Sequence, residues 1–384
     1  MAPRQSHKLT SAYSQRVQQT SARGMASTAP EREPLLRRLS SVLAPPPMLV
    51  QPGIEKLDSP VTMSSQSVFP TPAFSTARLD HQKRKVPQCI AHRGYKAKFP
   101  ENTLLSFRGA VEAGAHALET DVHITKDEVV VLSHDPTLKR CYGKPDKIID
   151  RTWEELQGER TMQEPHEPMP RLKDVLEYLA QPGLEDTWLL LDIKLSNDAD
   201  NIMRLIASTI ASTPPSQVAG TKPWHERIVL GIWAAKFLPL AQKYSPGFPI
   251  MHIGFSTPYA RHFFEIENVG FNMLLPTLVA PGGRAFLRDA REKYHRQVLA
   301  WTVNTRERME WCLRRQLDGV ITDDPAMFLR VCGEYDSKVR ERWLRVKDYF
   351  EIYRIWIWIM VALLFWGKRF KPVASRALIE KAKP

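Results

Sequence analysis

An α/β barrel, in which eight parallel strands close into a ring inside a layer of helices, is the fold that the sequence predicts for residues 87–332. Short apolar runs alternate with helical periods along this stretch, which is typical of parallel strands joined by crossover helices. The alternative is a doubly wound open sheet. We disfavour it because no GxGxxG motif follows any predicted strand. We therefore expect a TIM (β/α)8 barrel with a disordered N-terminal tail and a C-terminal hydrophobic membrane segment.

The predicted strands are apolar runs bounded by polar turn residues. There is one run more than the barrel needs. We assign the surplus to residues 117–133, because the segment 125–128 (Thr-Lys-Asp-Glu) reads as a tight turn joining two strands. The predicted strands cover residues 88–91, 117–124, 129–133, 188–193, 228–232, 250–253, 271–275, 298–303 and 319–321.

Helical periods lie between most of these strands, which is what crossover connections require. The predicted helices cover residues 103–113, 172–180, 202–211, 234–244, 283–294 and 306–314.

Residues 1–86 form a basic leader rich in Ser, Thr, Pro and Gln, without a sustained apolar period, and we predict that it is disordered. Its first 30 residues contain basic side chains and no acid, which resembles a mitochondrial presequence. The alternative is a leader without a targeting role, or a later start at Met25, Met48 or Met63.

Residues 333–384 combine an amphipathic linker with a hydrophobic segment. Residues 355–366 carry no charge and include three tryptophans, and Lys368, Arg369 and Lys371 follow at once. Twelve helical residues span about 18 Å, less than the roughly 30 Å of a hydrocarbon core. One interpretation is a last helix covering the barrel. The interfacial tryptophans and basic residues favour a membrane anchor that spans the bilayer or lies in its surface.

The charge and cysteine content exclude several classes of protein. Lys and Arg number 54 and Asp and Glu 42, a net charge of +12. The excess lies in the two terminal parts, so we expect an anionic membrane surface and no nucleic acid as partner. Four scattered cysteines without a CxxC pair exclude a disulfide scaffold and a zinc ribbon. We expect an intracellular, membrane-associated protein, with mitochondrion, lipid droplet and endoplasmic reticulum left open, and infer no obligate protein partner.

Polar residues fall at the ends of successive predicted strands. Glu119 and Asp121 are two positions apart within a strand, so both face the same side. The carboxyl ends of all strands in a parallel barrel share one mouth, so these side chains should converge there. The other members of the set are His92, Arg93, His134, Asp192 and Lys194.

This set is suited to cleavage of a phosphodiester. Three carboxylates, Glu119, Asp121 and Asp192, need a cation to offset their repulsion, and oxygen ligands select a hard divalent ion, Mg²⁺ or Ca²⁺. Arg93 and Lys194 suit the substrate phosphate. Two histidines at the same mouth suit paired acid and base catalysis.

Further residues near the mouth are weaker candidates. Glu101 and Trp301 are candidate substrate contacts, and Trp301 could share an apolar wall with Phe255. We expect Asn102 to cap the helix that follows the first strand. His123 shares the face of the carboxylate pair, and a ligand role for it is a lesser alternative. Asp135 is expected to orient its loop.

The same motifs, in the same order, resemble the glycerophosphodiester phosphodiesterase family between about residues 88 and 330. Residues 92–107 and 191–194 look in particular like the fungal phosphatidylglycerol phospholipase C, which also has a short hydrophobic C-terminal segment. The resemblance is carried by His92-Arg93-Gly94, Pro100-Glu101-Asn102-Thr103, Glu119-Thr120-Asp121, His134-Asp135, Asp192-Ile193-Lys194, Trp301-Thr302-Val303-Asn304 and residues 318–325 (Asp-Gly-Val-Ile-Thr-Asp-Asp-Pro).

The resemblance implies a TIM barrel, a divalent cation on Glu119, Asp121 and Asp192, and acid and base catalysis by His92 and His134, with either order open. Many members of the family have Glu where this chain has Asp192. The expected activity is metal-dependent hydrolysis of phosphatidylglycerol to diacylglycerol and glycerol 3-phosphate. The alternatives are hydrolysis of soluble glycerophosphodiesters, a lysophospholipase D activity, and an inactive lipid-binding membrane protein.

Overall fold

A closed barrel of eight parallel strands is the centre of the molecule, as predicted. The computed structural model describes residues 69–216, 221–335 and 344–370, with side chains up to residue 365. Each strand pairs with the next along the chain, and the eighth pairs with the first, which closes the ring. The barrel strands are, in order, Gln88–His92, Ala117–Ile124, Trp188–Ile193, Ile228–Ile232, Ile250–Gly254, Gly270–Leu274, Val298–Trp301 and Gly319–Thr322.

The surplus apolar run is a short antiparallel strand, Val130–Leu132, which pairs with the second barrel strand outside the ring. The predicted turn joins the two. Thr125 donates its hydroxyl to the Asp127 carboxylate (2.6 Å) and accepts the Val129 N–H (2.9 Å), and Glu128 adopts a positive φ of 64°. After this strand, the Ser133 N–H bonds to the Asp121 carbonyl oxygen (3.0 Å). The hairpin therefore returns the chain to the mouth at His134.

Helices follow most barrel strands and form the outer layer. Two predicted helices differ from the observed ones, because residues 235–237 form a 3₁₀ turn and residues 289–293 a π turn. The helix Pro325–Glu334 was not predicted; it begins at Asp324, whose carboxylate accepts the Met327 N–H (2.9 Å). The other helices are Leu104–Glu112, Lys139–Tyr142, Trp153–Leu156, Leu172–Leu179, Ala199–Ala211, Leu238–Tyr244, Thr257–Ala260, Leu275–Val279, Gly283–Arg288, Arg306–Arg314 and Val346–Phe370.

The core consists of two main layers separated by the barrel wall. Successive side chains of a strand alternate between faces, so that Ile90 and Leu190 point into the barrel while Cys89 and Leu189 pack against the helices. The inner cluster comprises Ile90, Ala117, Trp188, Leu190, Val229, Met251, Leu299 and Ile321, with Phe74 and Trp301 packed against it.

An N-terminal segment closes the floor of the barrel, opposite the mouth. The Phe74 ring meets the Trp188 ring edge-on at 5.6 Å between centroids. Gln88 donates to the carbonyl oxygens of Phe74 (2.6 Å) and Thr76 (2.7 Å) and accepts the indole N–H of Trp188 (2.8 Å). Described residues before the predicted boundary at residue 87 are therefore packed on the barrel, and Phe69 among them is buried. The predictions for residues 1–68 lie outside the described residues.

The hydrophobic C-terminal segment belongs to one helix, Val346–Phe370, which packs on the barrel along one face. Ile352, Ile355 and Ile359 are buried on that face, and Glu351 pairs with Arg308 of the helix Arg306–Arg314 (2.7 Å). The opposite face leaves large apolar side chains exposed. In the described parts of the chain, no helix combines the length and apolarity that crossing a membrane requires. The exposed set is Val346, Phe350, Tyr353, Ile357, Trp358, Met360, Leu364 and Phe365.

Candidate active site

The turn after the first barrel strand carries the backbone that approaches the acidic side chains. Arg93 and Gly94 both adopt positive φ, 58° and 81°. This turn directs the Arg93 N–H toward Glu119, where it meets the carbonyl oxygen (2.9 Å) and the carboxylate (3.0 Å). A Cβ at Gly94 would lie 2.3 Å from the Ser106 hydroxyl, so only glycine fits against this helix.

Glu119, Asp121 and Asp192 converge at the mouth, as predicted. Asp121 and Asp192 are register partners on neighbouring strands, and Glu119 lies one inward-facing position below Asp121. All three are buried, and one carboxylate oxygen from each lies within 4.8 Å of the others. Such a cluster of oxygen donors is the kind of site that Mg²⁺ or Ca²⁺ prefers.

Lys194 lies between two of these carboxylates. Its Nζ is 2.6 Å from the Asp121 carboxylate and 2.6 Å from that of Asp192. Burial disfavours its charge, but Asp121 and Asp192 outweigh this and raise the Lys194 pKa. Burial and the repulsion of Asp121 and Asp192 raise the pKa of Glu119 well above its usual range. The cluster therefore has more negative charge than one ammonium balances, and a divalent cation fits it.

Arg93 and Glu101 form an ion pair beside the carboxylates. The Arg93 guanidinium contacts the Glu101 carboxylate at 2.8 Å and the Asp121 carboxylate at 3.3 Å. Burial would raise the pKa of Glu101, but Arg93, Lys96 and Arg140 hold it well below its usual range. Glu101 was predicted as a candidate substrate contact, and its carboxylate lies among these cations as a counter-ion for Arg93.

Asn102 does not cap the following helix, so this prediction was wrong. Thr103 is the cap, because its hydroxyl accepts the Ser106 N–H (3.1 Å). The Asn102 amide donates to the Asp121 carboxylate (3.0 Å) and accepts the Thr120 hydroxyl (2.8 Å). Its positive φ of 53° is tolerated because Asn enters the left-handed region more readily than most residues. Asn102 thus positions one carboxylate of the cluster.

His92 is held by a carboxylate that comes from the far end of the barrel sequence. The His92 Nδ1 lies 2.5 Å from the Asp323 carboxylate, which also accepts from the Asn304 amide (2.7 Å). An Nδ1–H bond to a carboxylate fixes the tautomer and leaves Nε2 for proton exchange. Burial, followed by the charge of Arg93, lowers the pKa of His92.

His134 has a parallel arrangement. Its Nδ1 lies 2.8 Å from the Asp135 carboxylate, and Arg140 donates to the other Asp135 oxygen (2.6 Å). Arg140 also forms a bidentate pair with Glu101, at 2.9 and 2.7 Å. Burial, together with the charges of Arg93 and Lys194, lowers the pKa of His134 to about 3. Asp135 was expected to orient its loop, and it contacts the candidate catalytic ring directly.

The remaining predicted residues divide into two groups. His123 is buried and its ring lies 3.4 Å from the His134 carbonyl oxygen, so within the described residues it does not join the carboxylate cluster. Trp301 meets the ring of Trp233 edge-on at 5.6 Å, and Phe255 lies 6.3 Å from the same ring. Because the Trp233 indole also bonds to the Asp192 carboxylate (2.6 Å), this aromatic wall adjoins the carboxylate cluster.

The sequence reasoning missed the roles of Arg140, Trp233 and Asp323. Arg140 follows the His134-Asp135 motif by five positions, and Asp323 lies in a quoted motif, so position alone could have indicated them. Trp233 directly follows the fourth barrel strand, which is the only signal the sequence offers for it.

Comparison with known proteins places this site in a family. The model of the glycerophosphoryl diester phosphodiesterase family matches residues 92–327. A glycerophosphodiester phosphodiesterase of Caldanaerobacter subterraneus is 27% identical over 262 residues, covering 63% of this chain and 96% of its own. A human lysophospholipase D is 36% identical over 132 residues, 31% of this chain and 40% of its own.

Solved structures agree on the fold. An Oleispira antarctica phosphodiesterase, solved in complex with the product sn-glycerol-3-phosphate, superposes with a TM-score of 0.56 at 20% identity, over 65% of this chain and 98% of its own. A Thermotoga maritima glycerophosphodiester phosphodiesterase gives a TM-score of 0.50 at 26% identity, over 64% of this chain and 98% of its own. With the family model matched from His92 to Met327, this chain belongs to the glycerophosphoryl diester phosphodiesterase family.

Proposed function

We propose that this phosphodiesterase acts on glycerophospholipids, and that phosphatidylglycerol, cleaved to diacylglycerol and glycerol 3-phosphate, is its substrate. The observation that carries the proposal is the two-sided mouth. Cations and carboxylates lie on one side, and the rings of Trp233, Trp301 and Phe255 lie beside them. The polar side suits a phosphate, and the aromatic wall suits the apolar alcohol that leaves it.

The phosphate would be held by charge. Glu119, Asp121 and Asp192 would bind a divalent cation, which supplies Lewis-acid stabilisation of the phosphate oxygens. Arg93 adds a guanidinium on the same side, and its carboxylate partner Glu101 keeps that guanidinium at the mouth. Lys194, whose Nζ lies 2.6 Å from the Asp121 and Asp192 carboxylates, would add an ammonium group on the same side as the phosphate.

The histidines would move the protons. One imidazole Nε2 takes the proton of the headgroup 2-hydroxyl, whose oxygen bonds to phosphorus while the bond to the diacylglycerol oxygen breaks. The other imidazole protonates that leaving oxygen. Water then opens the cyclic phosphate to glycerol 3-phosphate. Reaction within one molecule is favoured by effective molarities of about 10⁵–10⁸ M. His92 and His134 are each pre-oriented for this by a carboxylate on Nδ1.

The same chemistry favours lysophospholipase D activity as second candidate. A lysophospholipid has a free 2-hydroxyl on its glycerol backbone, next to the phosphate, so attack there would expel the headgroup instead. The similarity to the human lysophospholipase D supports this alternative. Soluble glycerophosphodiesters such as glycerophosphocholine, which carry the same hydroxyl without an acyl chain, are the third candidate.

One panel separates these activities. The purified protein is given phosphatidylglycerol, phosphatidylethanolamine, lysophosphatidylcholine and glycerophosphocholine, with and without EDTA, and the products are separated. We expect turnover of phosphatidylglycerol and none of phosphatidylethanolamine, whose headgroup has no 2-hydroxyl. Preference for lysophosphatidylcholine or glycerophosphocholine would replace the proposed substrate. Lipid binding without turnover would establish the inactive alternative.

We propose further that the protein is intracellular and works at a membrane surface through the helix Val346–Phe370. This helix contacts the segment Leu275–Val279, which follows the sixth barrel strand at the mouth end. Phe350 and Leu364, exposed by 73% and 78%, lie on the face turned away from the barrel. An apolar face beside the mouth suits the headgroup region of a bilayer.

Point variants test this proposal without removing the helix. Phe350→Ser combined with Leu364→Ser should reduce co-sedimentation with phosphatidylglycerol vesicles at least tenfold, and should leave turnover of short-chain phosphatidylglycerol unchanged. Lys347→Ser combined with Arg354→Ser is the matched control for charge on the same helix. If only the charge variant releases the protein, or if both proteins still sediment, the exposed apolar face is not the membrane contact.

A further inference from the structure

Each carboxylate of the cluster has a hydrogen-bond donor on one side. The Arg93 N–H serves Glu119, and the Asn102 amide serves Asp121. For Asp192 the donor is the indole N–H of Trp233, 2.6 Å from Oδ1. The other Asp192 oxygen, Oδ2, accepts from Lys194 at 2.6 Å. One oxygen of Asp192 therefore accepts from the Trp233 indole, and the other accepts from Lys194 within the carboxylate cluster.

The indole is itself fixed in place. Trp233 follows the fourth barrel strand, whose last residue pairs in register with Ile193 beside Asp192. The ring of Trp301 meets it edge-on at 77°, and the Lys194 ammonium lies 5.8 Å from its centroid on the third-strand side. A ring packed in this way resists rotation, so its N–H remains directed at one carboxylate oxygen.

We propose that Trp233 is a positioning residue for the metal, acting through Asp192. Its N–H occupies Oδ1 and keeps Oδ2 turned toward Asp121 and Glu119. Without this donor, Asp192 can rotate and offer both oxygens to Lys194, which would strengthen the internal ion pair that competes with a bound cation. A hydrogen-bonded ligand also costs less entropy to organise around an ion.

The inference rests on the metal site of the proposed function, so binding is measured directly and without substrate. The full chain, stripped of metal with EDTA and dialysed, is titrated with Mg²⁺ and, in parallel, with Ca²⁺ by isothermal titration calorimetry. Trp233→Phe keeps an aromatic ring and removes the N–H. Trp301→Phe is the matched control, because it keeps a ring beside Trp233 and removes only an indole N–H that donates to the Asn272 carbonyl oxygen (3.1 Å).

We expect Trp233→Phe to raise the metal dissociation constant by about 10-fold and Trp301→Phe to change it by less than about twofold. Trp233→Met, which also lacks a donor, should match Trp233→Phe and serves if phenylalanine is not accommodated; thermal unfolding confirms that the variants are folded. If wild type and the Trp233 variants bind metal equally well, or if Trp301→Phe loses as much metal affinity as they do, the positioning role of Trp233 is overturned while the metal site itself stands. A wild-type protein that binds neither ion overturns the metal site and this inference with it.

Discussion

Acid should destabilise the fold through His252, a histidine whose ring packs among the residues outside the barrel wall. It lies on the fifth barrel strand with its side chain wholly buried. The ring is stacked on Phe263, with 4.2 Å between centroids and 11° between planes, and Tyr259 lies edge-on at 5.3 Å. Burial among aromatic rings lowers the pKa of His252 from 6.5 to about 3, because the charged imidazolium loses its hydration there.

The size of the effect follows from this shift. Below pH 6.5 the unfolded chain binds a proton at His252, whereas the folded protein does not bind it until the pH approaches 3. The contribution of neutral His252 to the free energy of unfolding is therefore fully present above pH 6.5 and is lost as the pH falls toward 3. Each pH unit in that window costs about 1.4 kcal/mol. Between about pH 7.5 and pH 4.5, this one histidine should therefore remove about 3 kcal/mol from the free energy of unfolding.

Urea unfolding of wild type and His252→Leu at the two pH values isolates the contribution. Both proteins share every other titrating group, so those contributions cancel in the difference between the two pH dependences. We expect the variant to lose about 3 kcal/mol less than wild type on acidification, whatever its stability at neutral pH. Parallel pH dependences would refute the argument that this ring is buried in its neutral form.

Three further predictions concern the site and the core. Phosphodiesterase activity should disappear with EDTA and return with Mg²⁺ or Ca²⁺, and Asp121→Asn should behave like chelated enzyme; activity in a metal-free preparation would contradict the cluster's role. His92→Ala and His134→Ala should each lower kcat by about 10²–10⁴ with unchanged circular dichroism, and a wild-type kcat would remove that residue from the mechanism. Arg227 is buried and donates to three backbone carbonyl groups, so Arg227→Met should cost about 3 kcal/mol in urea unfolding, and a loss below 1 kcal/mol would show that those carbonyls find other partners.

The strands were predictable because parallel barrel strands are buried on both faces. Their apolar runs end where polar residues begin, and the predicted segments 117–124, 188–193 and 228–232 match the observed strands residue for residue. Helix ends were harder to predict, since the first turn of one predicted helix has 3₁₀ geometry and the last turn of another has π geometry, without a sequence signal for either.

Within the site, alternation along a strand predicted the carboxylates, whereas the groups that orient them depend on contacts distant in sequence. Asp323 reaches His92 only because the eighth strand closes against the first. Asn102 follows a local rule for helix caps, but its left-handed backbone turns the amide toward Asp121 instead. The sequence therefore predicts the candidate catalytic and metal-binding side chains better than it predicts the residues that orient them.

The N-terminal segment that closes the floor of the barrel limits how far the protein can be truncated from its N-terminus. A chain beginning at residue 87 would retain all eight barrel strands and every candidate catalytic side chain. It would lack the carbonyl groups of Phe74 and Thr76 that Gln88 binds, and the ring that covers Trp188. Water could then enter the barrel from below, on the side opposite the substrate. A truncation chosen from the catalytic motifs alone would remove this N-terminal segment. A chain that begins at residue 69, the first described position, would keep the described part of it.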